Sequence, residues 1–230
     1  MLRKGNLQRR LPTSNNEVNI SMNVFKKIWH KFLDIFGELH ISKYPLWMMY
    51  DPTYFKMTGT KILEVLNLVK PGDILIRGYD GYADGYFIPY SENHGRYSHA
   101  GIYVGNNEVI HAVSPCVSTI HLIDFVECDR LAILRPKSGI DKAILNAKAF
   151  AKNVIKYDFD FSKGSNSLYC FELCAECYPE LAIERKDARI LGGLIRRNEC
   201  YLASSLFESK DLELVFEYNP QNKIDFTANK

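Results

Sequence analysis

The stretch Ser98-His99-Ala100-Gly101-Ile102-Tyr103-Val104-Gly105-Asn106-Asn107-Glu108-Val109-Ile110-His111-Ala112-Val113 contains two β-favouring runs on either side of a Gly-Asn-Asn turn. Val, Ile and Tyr fill pleated surfaces, and Gly and Asn tolerate the positive φ that a tight reversal demands, so the stretch predicts a β-hairpin. An antiparallel ladder folded about Gly105 and Asn106 sets His99 opposite His111, with both imidazoles on one face. An imidazole at the end of a strand can take a proton from a nucleophile, and a second one beside it can hold the first in position.

Outward from the hairpin the same pattern continues. Residues 73–77 before it, and 117–123 and 131–134 after it, are short β-favouring runs between turn residues, and 212–217 reads as a tail strand. Together they predict a compact antiparallel meander. Residues 78–95, rich in Gly, Tyr and Asp, form a long loop entering the hairpin, the kind of segment that carries function. Ile62, Leu63, Val65, Leu66 and Val69 recur at helical spacing and stop before Pro71. A third helix spans 140–155, with Ile144, Ala147, Ala151 and Val154 on one face, and a fourth begins near Leu168. The fold class is therefore α+β, a small antiparallel sheet or barrel packed against helices.

The N-terminal part differs. Phe25, Ile28, Trp29, Phe32, Leu33 and Phe36 recur at helical spacing opposite Lys26, Lys27, His30 and Asp34, with Gly37 as a stop. An amphipathic helix over residues 22–36 either packs on the body, makes peripheral contact with a membrane or binds a partner. Docking is the expectation, with Trp29 buried against the body. Residues 1–21 read as a frayed tail and 44–54 as an irregular aromatic linker, which divides the chain into 1–57 (tail, helix and linker) and 58–230 (the main folded domain).

With 47% hydrophobic and 24% charged residues over 230 positions, the chain can bury a core, which excludes a disordered or low-complexity protein. A net charge of +2 gives no global basis for binding nucleic acid, and none is expected as a partner. The charge is unevenly placed, since residues 1–43 carry eight Lys/Arg against three Asp/Glu. No apolar run reaches the roughly 20 residues of a spanning helix, and the start lacks the apolar segment of a secretion signal. Six cysteines without such a signal suggest reduced thiols and a cytoplasmic protein. The oligomeric state is not legible.

Thiol chemistry needs a nucleophile, a base and a group that orients the base. Cys170 follows Asn166-Ser167-Leu168-Tyr169, where Asn166 or Ser167 would cap a helix and leave the sulfur in its first turn. Unpaired N–H groups there lower a thiol pKa and cradle an oxyanion, so an activated Cys170 should alkylate fast at neutral pH. His99 is the candidate base and His111 the orienting group. His94 and His121 lack such context and read as surface or structural residues. Cys170, Cys174 and Cys177 match an iron–sulfur spacing, but the segment reads as helix, which makes Cys174 and Cys177 core side chains. A zinc site completed by Cys200 is the residual alternative. No metal or cofactor is expected.

Taken in order, Lys70-Pro71-Gly72-Asp73-Ile74, the run from Ser98 to Gly105, Tyr157-Asp158-Phe159-Asp160-Phe161 and Tyr169-Cys170-Phe171-Glu172-Leu173 resemble the NlpC-type cysteine peptidase superfamily. The resemblance is to its circularly permuted, YiiX-like branch, akin to lecithin retinol acyltransferase. Ordinary papain-like enzymes present cysteine before histidine, whereas here His99 precedes Cys170. The resemblance covers roughly residues 58–217 and implies a circularly permuted papain-like fold and a cysteine hydrolase or acyltransferase. Its substrate would be a small molecule, a lipid or a peptide, attacked by Cys170 with His99 as base and His111 third. Phe171 stands where the family commonly has Ser or Thr. His at 111, where YiiX-like members often have Glu, leans toward ester or acyl chemistry. A non-catalytic relative that binds lipid or peptide in the same cleft is the alternative.

Overall fold

A computed structural model describes residues 24–37, 40–43, 46–49, 55–80, 96–161, 166–190 and 195–220. The first half runs α1 (Val24–Gly37), β1 (His40–Lys43), β2 (Leu46–Met49), α2 (Gly59–Leu68), β3 (Ile74–Gly78), β4 (His99–Gly105), β5 (Glu108–Val113), β6 (Cys116–His121) and α3 (Leu122–Val126). The second runs β7 (Arg130–Pro136), α4 (Ile140–Lys152), β8 (Lys156–Tyr157), β9 (Ser167–Leu168), α5 (Cys170–Cys177), β10 (Lys186–Ile190), β11 (Ile195–Cys200), α6 (Ala203–Phe207) and β12 (Leu212–Tyr218). This is a mixed α+β protein, as the sequence pattern predicts. No described helix is long and apolar enough to cross a membrane.

One sheet organises the body, with strand order β12-β7-β3-β4-β5-β6-β8-β9. All its neighbours are antiparallel except β8 and β9, which run parallel. Alternation along the strands makes two cores. Ile74, Ile76, Ala100, Ile102 and Ala112 pack with Ala143, Ala147, Leu173 and Cys174 from α4 and α5. Leu75, Tyr103, Val109 and Ile133 pack on the other face with Val65 and Phe125 from α2 and α3. Each such fully buried aliphatic contributes roughly 1.5–3 kcal/mol of transfer free energy.

The Lys70-Pro71-Gly72-Asp73 turn joins α2 to this sheet. Thr58 caps α2 by accepting from the Lys61 N–H, and the helix ends at Leu68, before the proline. Gly72 has φ +94, and a Cβ there would meet Ile140 Cγ2 at 2.6 Å. Asp73, 1% exposed, accepts from the Lys70 N–H at 2.7 Å and takes both Nε and Nη2 of Arg135 at 2.9 and 2.8 Å.

Several expectations need correction. The strand expected over 117–123 stops at His121, whose Nδ1 accepts from the Ile123 N–H and so caps α3, a helix that the apolar pattern hid. His121 is thus structural, as expected. The third helix ends at Lys152, and a further antiparallel pair, β10 with β11, follows α5. Residues 40–43 and 46–49 pair as antiparallel strands, β1 with β2, where an irregular linker was expected from residue 44. The tail at 1–21, residues 81–95 of the long loop, and His94 lie outside the described residues.

Helix α1 meets the body, but not as expected. Lys26 pairs with Asp160, and the ring of His30 stacks on Phe159 at 4.4 Å. Among the described side chains of α1, these two, one turn apart, mark a docking side. Trp29 lies elsewhere on the helix and is 41% exposed rather than buried.

Candidate active site

β8 and β9 set the approach to the nucleophile. Tyr157 pairs with Leu168 in the parallel ladder, and the Asp158 N–H donates to the Leu168 carbonyl at 3.2 Å. The chain is therefore still extended at Leu168, and α5 starts at Cys170 with Tyr169 as N-cap, not with Asn166 or Ser167. No cap side chain bonds the first turn, so its N–H groups are left to other acceptors.

Cys170 is the first residue of α5, 4% exposed, with Sγ 3.9 Å from the Ser98 carbonyl. Backbone N–H groups of Ala100, Phe171 and Cys170 itself also point at the sulfur. Ser98 and Ala100 are the two neighbours of His99, so the thiol sits against the strand where the candidate base is attached. The hydrogen bond of Sγ runs to the Ser98 carbonyl and not to an imidazole. Burial pushes the thiol up to about 11, against the three N–H groups and the charge of Arg77. The lowered pKa expected from the helix N-terminus is thus overturned, because desolvation of a buried thiolate outweighs the helix end.

His99 and His111 come together as their spacing implies, by a different register. Nε2 of His99 lies 2.9 Å from Nδ1 of His111, a distance at which one ring donates and the other accepts. The ladder pairs His111 with Gly101, because the chain reverses at Asn106 and Asn107, between the partners Gly105 and Glu108, rather than about Gly105 and Asn106, and an irregularity between Tyr103 and Gly105 takes back only one position. His99 is therefore the diagonal neighbour, not the direct one. The side of Gly101 is crowded, since a Cβ there would lie 2.8 Å from Val109 Cγ1 and 3.1 Å from Phe125 Cε2.

Two further residues belong here, and neither was singled out from the sequence. Arg77 is the β3 partner of His99, and its Nη1 donates to the Phe125 carbonyl at 3.1 Å. Its guanidinium lies 4.5 Å from the centre of the fully buried Phe125 ring, which His99 and His111 also face at 5.7 and 6.0 Å. The available signal was a cation ending the apolar run Ile74-Leu75-Ile76. Burial, then Arg77 and His111, hold His99 well below the ordinary histidine range. Burial and Arg77 push His111 down to about 4. Thiol and imidazoles are all neutral at pH 7.

Cys174 and Cys177 are core side chains, 0% and 1% exposed, as helical spacing predicts, and Cys200 is buried as well. Among the described residues, no three or more His, Cys, Asp or Glu side chains converge so as to hold a metal ion.

The same fold has been seen before. The chain resembles the crystal structure of the metalloprotein YiiX from Escherichia coli O157:H7, at 19% identity and a TM-score of 0.54, over 66% of this chain and 99% of that one. A comparison with curated proteins returned no match. Residues 68–216 match the family described as permuted papain-like amidase enzyme, YaeF/YiiX, C92 family. That match takes in Lys70 to Asp73, His99, His111, Cys170 and Arg77, and leaves α1 outside. With most of its length inside the match and the fold in agreement, this chain belongs to the C92 family of permuted papain-like amidases, the YaeF/YiiX group.

Proposed function

We propose that the protein is a thiol hydrolase or acyltransferase that opens an amide or ester bond through Cys170, His99 and His111. One observation carries the reading: Sγ of Cys170 lies against the backbone on both sides of His99, whose ring is bonded to His111. Nε2 of His99 is engaged by His111, which leaves Nδ1, the ring nitrogen nearer its own backbone, as the one for the thiol. With Nε2 protonated and donating to His111 Nδ1, His99 Nδ1 is a free base.

Because both partners rest neutral, proton transfer accompanies attack. As the sulfur bonds to the substrate carbonyl carbon, its proton moves to His99 Nδ1 and the carbonyl π electrons collect on oxygen. N–H groups at the start of α5 face that region and stabilise the oxyanion. Collapse to a thioester expels the amine or alcohol, which takes the proton from His99. Water, or an acceptor hydroxyl or amine, then gives a proton to His99 and attacks the thioester, and the thiol regains the proton. His111 accepts from His99 throughout and holds its tautomer.

Cell-wall peptides, lipids and other acylated molecules are the substrate classes to screen, and His rather than Glu at 111 favours esters and acyl groups. The six cysteines are not joined in disulfides, which suits the reducing cytoplasm. The protein is incubated with an acyl p-nitrophenyl ester, an acyl amide and a cell-wall peptide, and its intact mass is measured. A mass increase of one acyl group, lost in Cys170→Ala, supports the mechanism. The burial of Cys170 favours a second reading, a non-catalytic relative that binds lipid or peptide in the same cleft. No adduct and no turnover with any substrate would favour it.

A further inference from the structure

A helix that packs on its own domain buries its apolar stripe and leaves its charges in water. Among the described side chains of α1, apolar ones stand in water as well. Its docking side is marked by Lys26, paired with Asp160, and His30, stacked on Phe159. Ile28 is 63% exposed and Trp29 41%, and Phe32, which stacks with Trp29 at 5.5 Å, is half exposed. At about 100° per residue, Ile28, Trp29 and Phe32 form one continuous face. Lys27 and Lys31, both exposed, project beside it from the same side of the helix.

The charge of the chain selects the partner. Residues 1–43 carry eight Lys/Arg against three Asp/Glu, while the remaining residues carry 21 against 24. A protein with a basic head on a mildly acidic body turns the head toward an anionic surface. An aliphatic and indole face with a lysine rim matches the boundary between acyl chains and anionic headgroups, where Trp rings settle and lysine stems reach the phosphates. A protein partner would account for the apolar face but not for the separation of charge along the chain.

We propose that α1 is an interfacial helix that binds the surface of an anionic phospholipid membrane through Ile28, Trp29 and Phe32, with Lys27 and Lys31 at the headgroups. Phe159, under His30, contacts Tyr157 at 4.9 Å, and Phe161, two residues on, contacts Tyr169 at 4.9 Å, next to Cys170. Docked this way, α1 brings the segment leading to the nucleophile close to the lipid. Membrane binding itself needs no chemistry at Cys170.

The test uses the full chain and sedimented vesicles, either phosphatidylcholine alone or equal parts phosphatidylcholine and phosphatidylserine. Binding is expected to the mixed vesicles only, and to weaken with salt. A double variant, Ile28→Ser with Trp29→Ser, should bind at least tenfold more weakly. Lys27→Glu with Lys31→Glu should lose a comparable factor, each lysine near such a surface being worth about fivefold. Both variants alter exposed positions, and unchanged melting curves would show that they fold. Absence of wild-type binding overturns the proposal, as does binding that survives both variants or equal binding to neutral vesicles. A dimer that Ile28→Ser with Trp29→Ser converts to a monomer, without vesicle binding, would make the face a contact between copies and overturn it too.

Discussion

Nε2 of His99 and Nδ1 of His111 share a 2.9 Å hydrogen bond although the two residues are not partners in the ladder, where His111 faces Gly101. Gly101 shares its face of β4 with His99, and having no side chain it puts nothing of its own between the two rings. A ring so placed offers an acceptor that another side chain of similar reach can replace.

His111→Ala leaves the Nε2 proton of His99 buried without an acceptor, which costs about 1–3 kcal/mol and, if felt in the transition state, 10- to 100-fold in kcat. His111→Gln and His111→Glu supply an oxygen at a similar distance and should keep more activity than Ala. Steady-state kinetics on one ester substrate rank the three variants. Equal activity in Ala and Gln would remove His111 from the site.

Cys170→Ala and His99→Ala should each abolish turnover while the protein still melts cooperatively. Neither side chain is a large apolar filler, so the loss of packing is about 1 kcal/mol, against the several orders of magnitude that a nucleophile or base supplies. Hydrolysis by Cys170→Ala above the buffer rate would end the mechanism.

Much of this was legible in the sequence because it is local. The hairpin, the helix start near Cys170, the Pro71 stop and the core positions of Cys174 and Cys177 follow from turn residues and periodicity. The pairing register was not legible, since Gly105-Asn106-Asn107 can reverse at more than one place and the structure reverses it at Asn106-Asn107, with an irregularity between Tyr103 and Gly105. Arg77 and Phe125 were missed for a related reason, as β3 and α3 converge on the histidines only in the folded sheet. The state of Cys170 was misjudged because a helix N-terminus is visible in sequence, whereas the depth at which the sheet and α5 bury the sulfur is not.

With the thiol held up at about 11 and His99 held down, the resting pair is neutral, so free Cys170 should react slowly with iodoacetamide at pH 7. The half-buried Cys116 should label first. As pH rises, Cys170 should follow, ahead of Cys128, pushed up to about 12, and of Cys174 and Cys177, which burial raises further. Arg77→Met removes a charge that favours the thiolate and should slow Cys170 labelling at every pH below 11. Peptide mapping by mass spectrometry reads the order, and fast labelling of Cys170 at neutral pH would mean an ion pair instead.

Gly101→Ala tests the packing around the histidines. Its Cβ would sit 2.8 Å from Val109 Cγ1, 3.0 Å from the Ile110 carbonyl and 3.1 Å from Phe125 Cε2, on two sides that cannot both retreat. Overpacking of this kind costs about 1–3 kcal/mol, a few degrees in Tm for a chain of this length. Because Phe125 is the wall behind both imidazoles, kcat should fall as well, and a variant with wild-type Tm and kcat would show that the wall is soft.

Acid should unfold the protein through the same pair. A histidine buried neutral has a folded pKa below its unfolded value of about 6.5, so below that pH the unfolded chain binds more protons and stability falls as pH falls. For His111, pushed down to about 4, the loss begins near pH 6.5 and is complete near pH 4, at an upper limit of about 3 kcal/mol. His99 shifts in the same direction and adds to the slope. Urea melts of wild type and His111→Gln between pH 7.5 and 4.5 check this. The variant, with no imidazole to protonate at that position, should lose less stability over the interval, and equal losses would mean that His111 is already charged in the folded protein or that its folded and unfolded pKa values coincide.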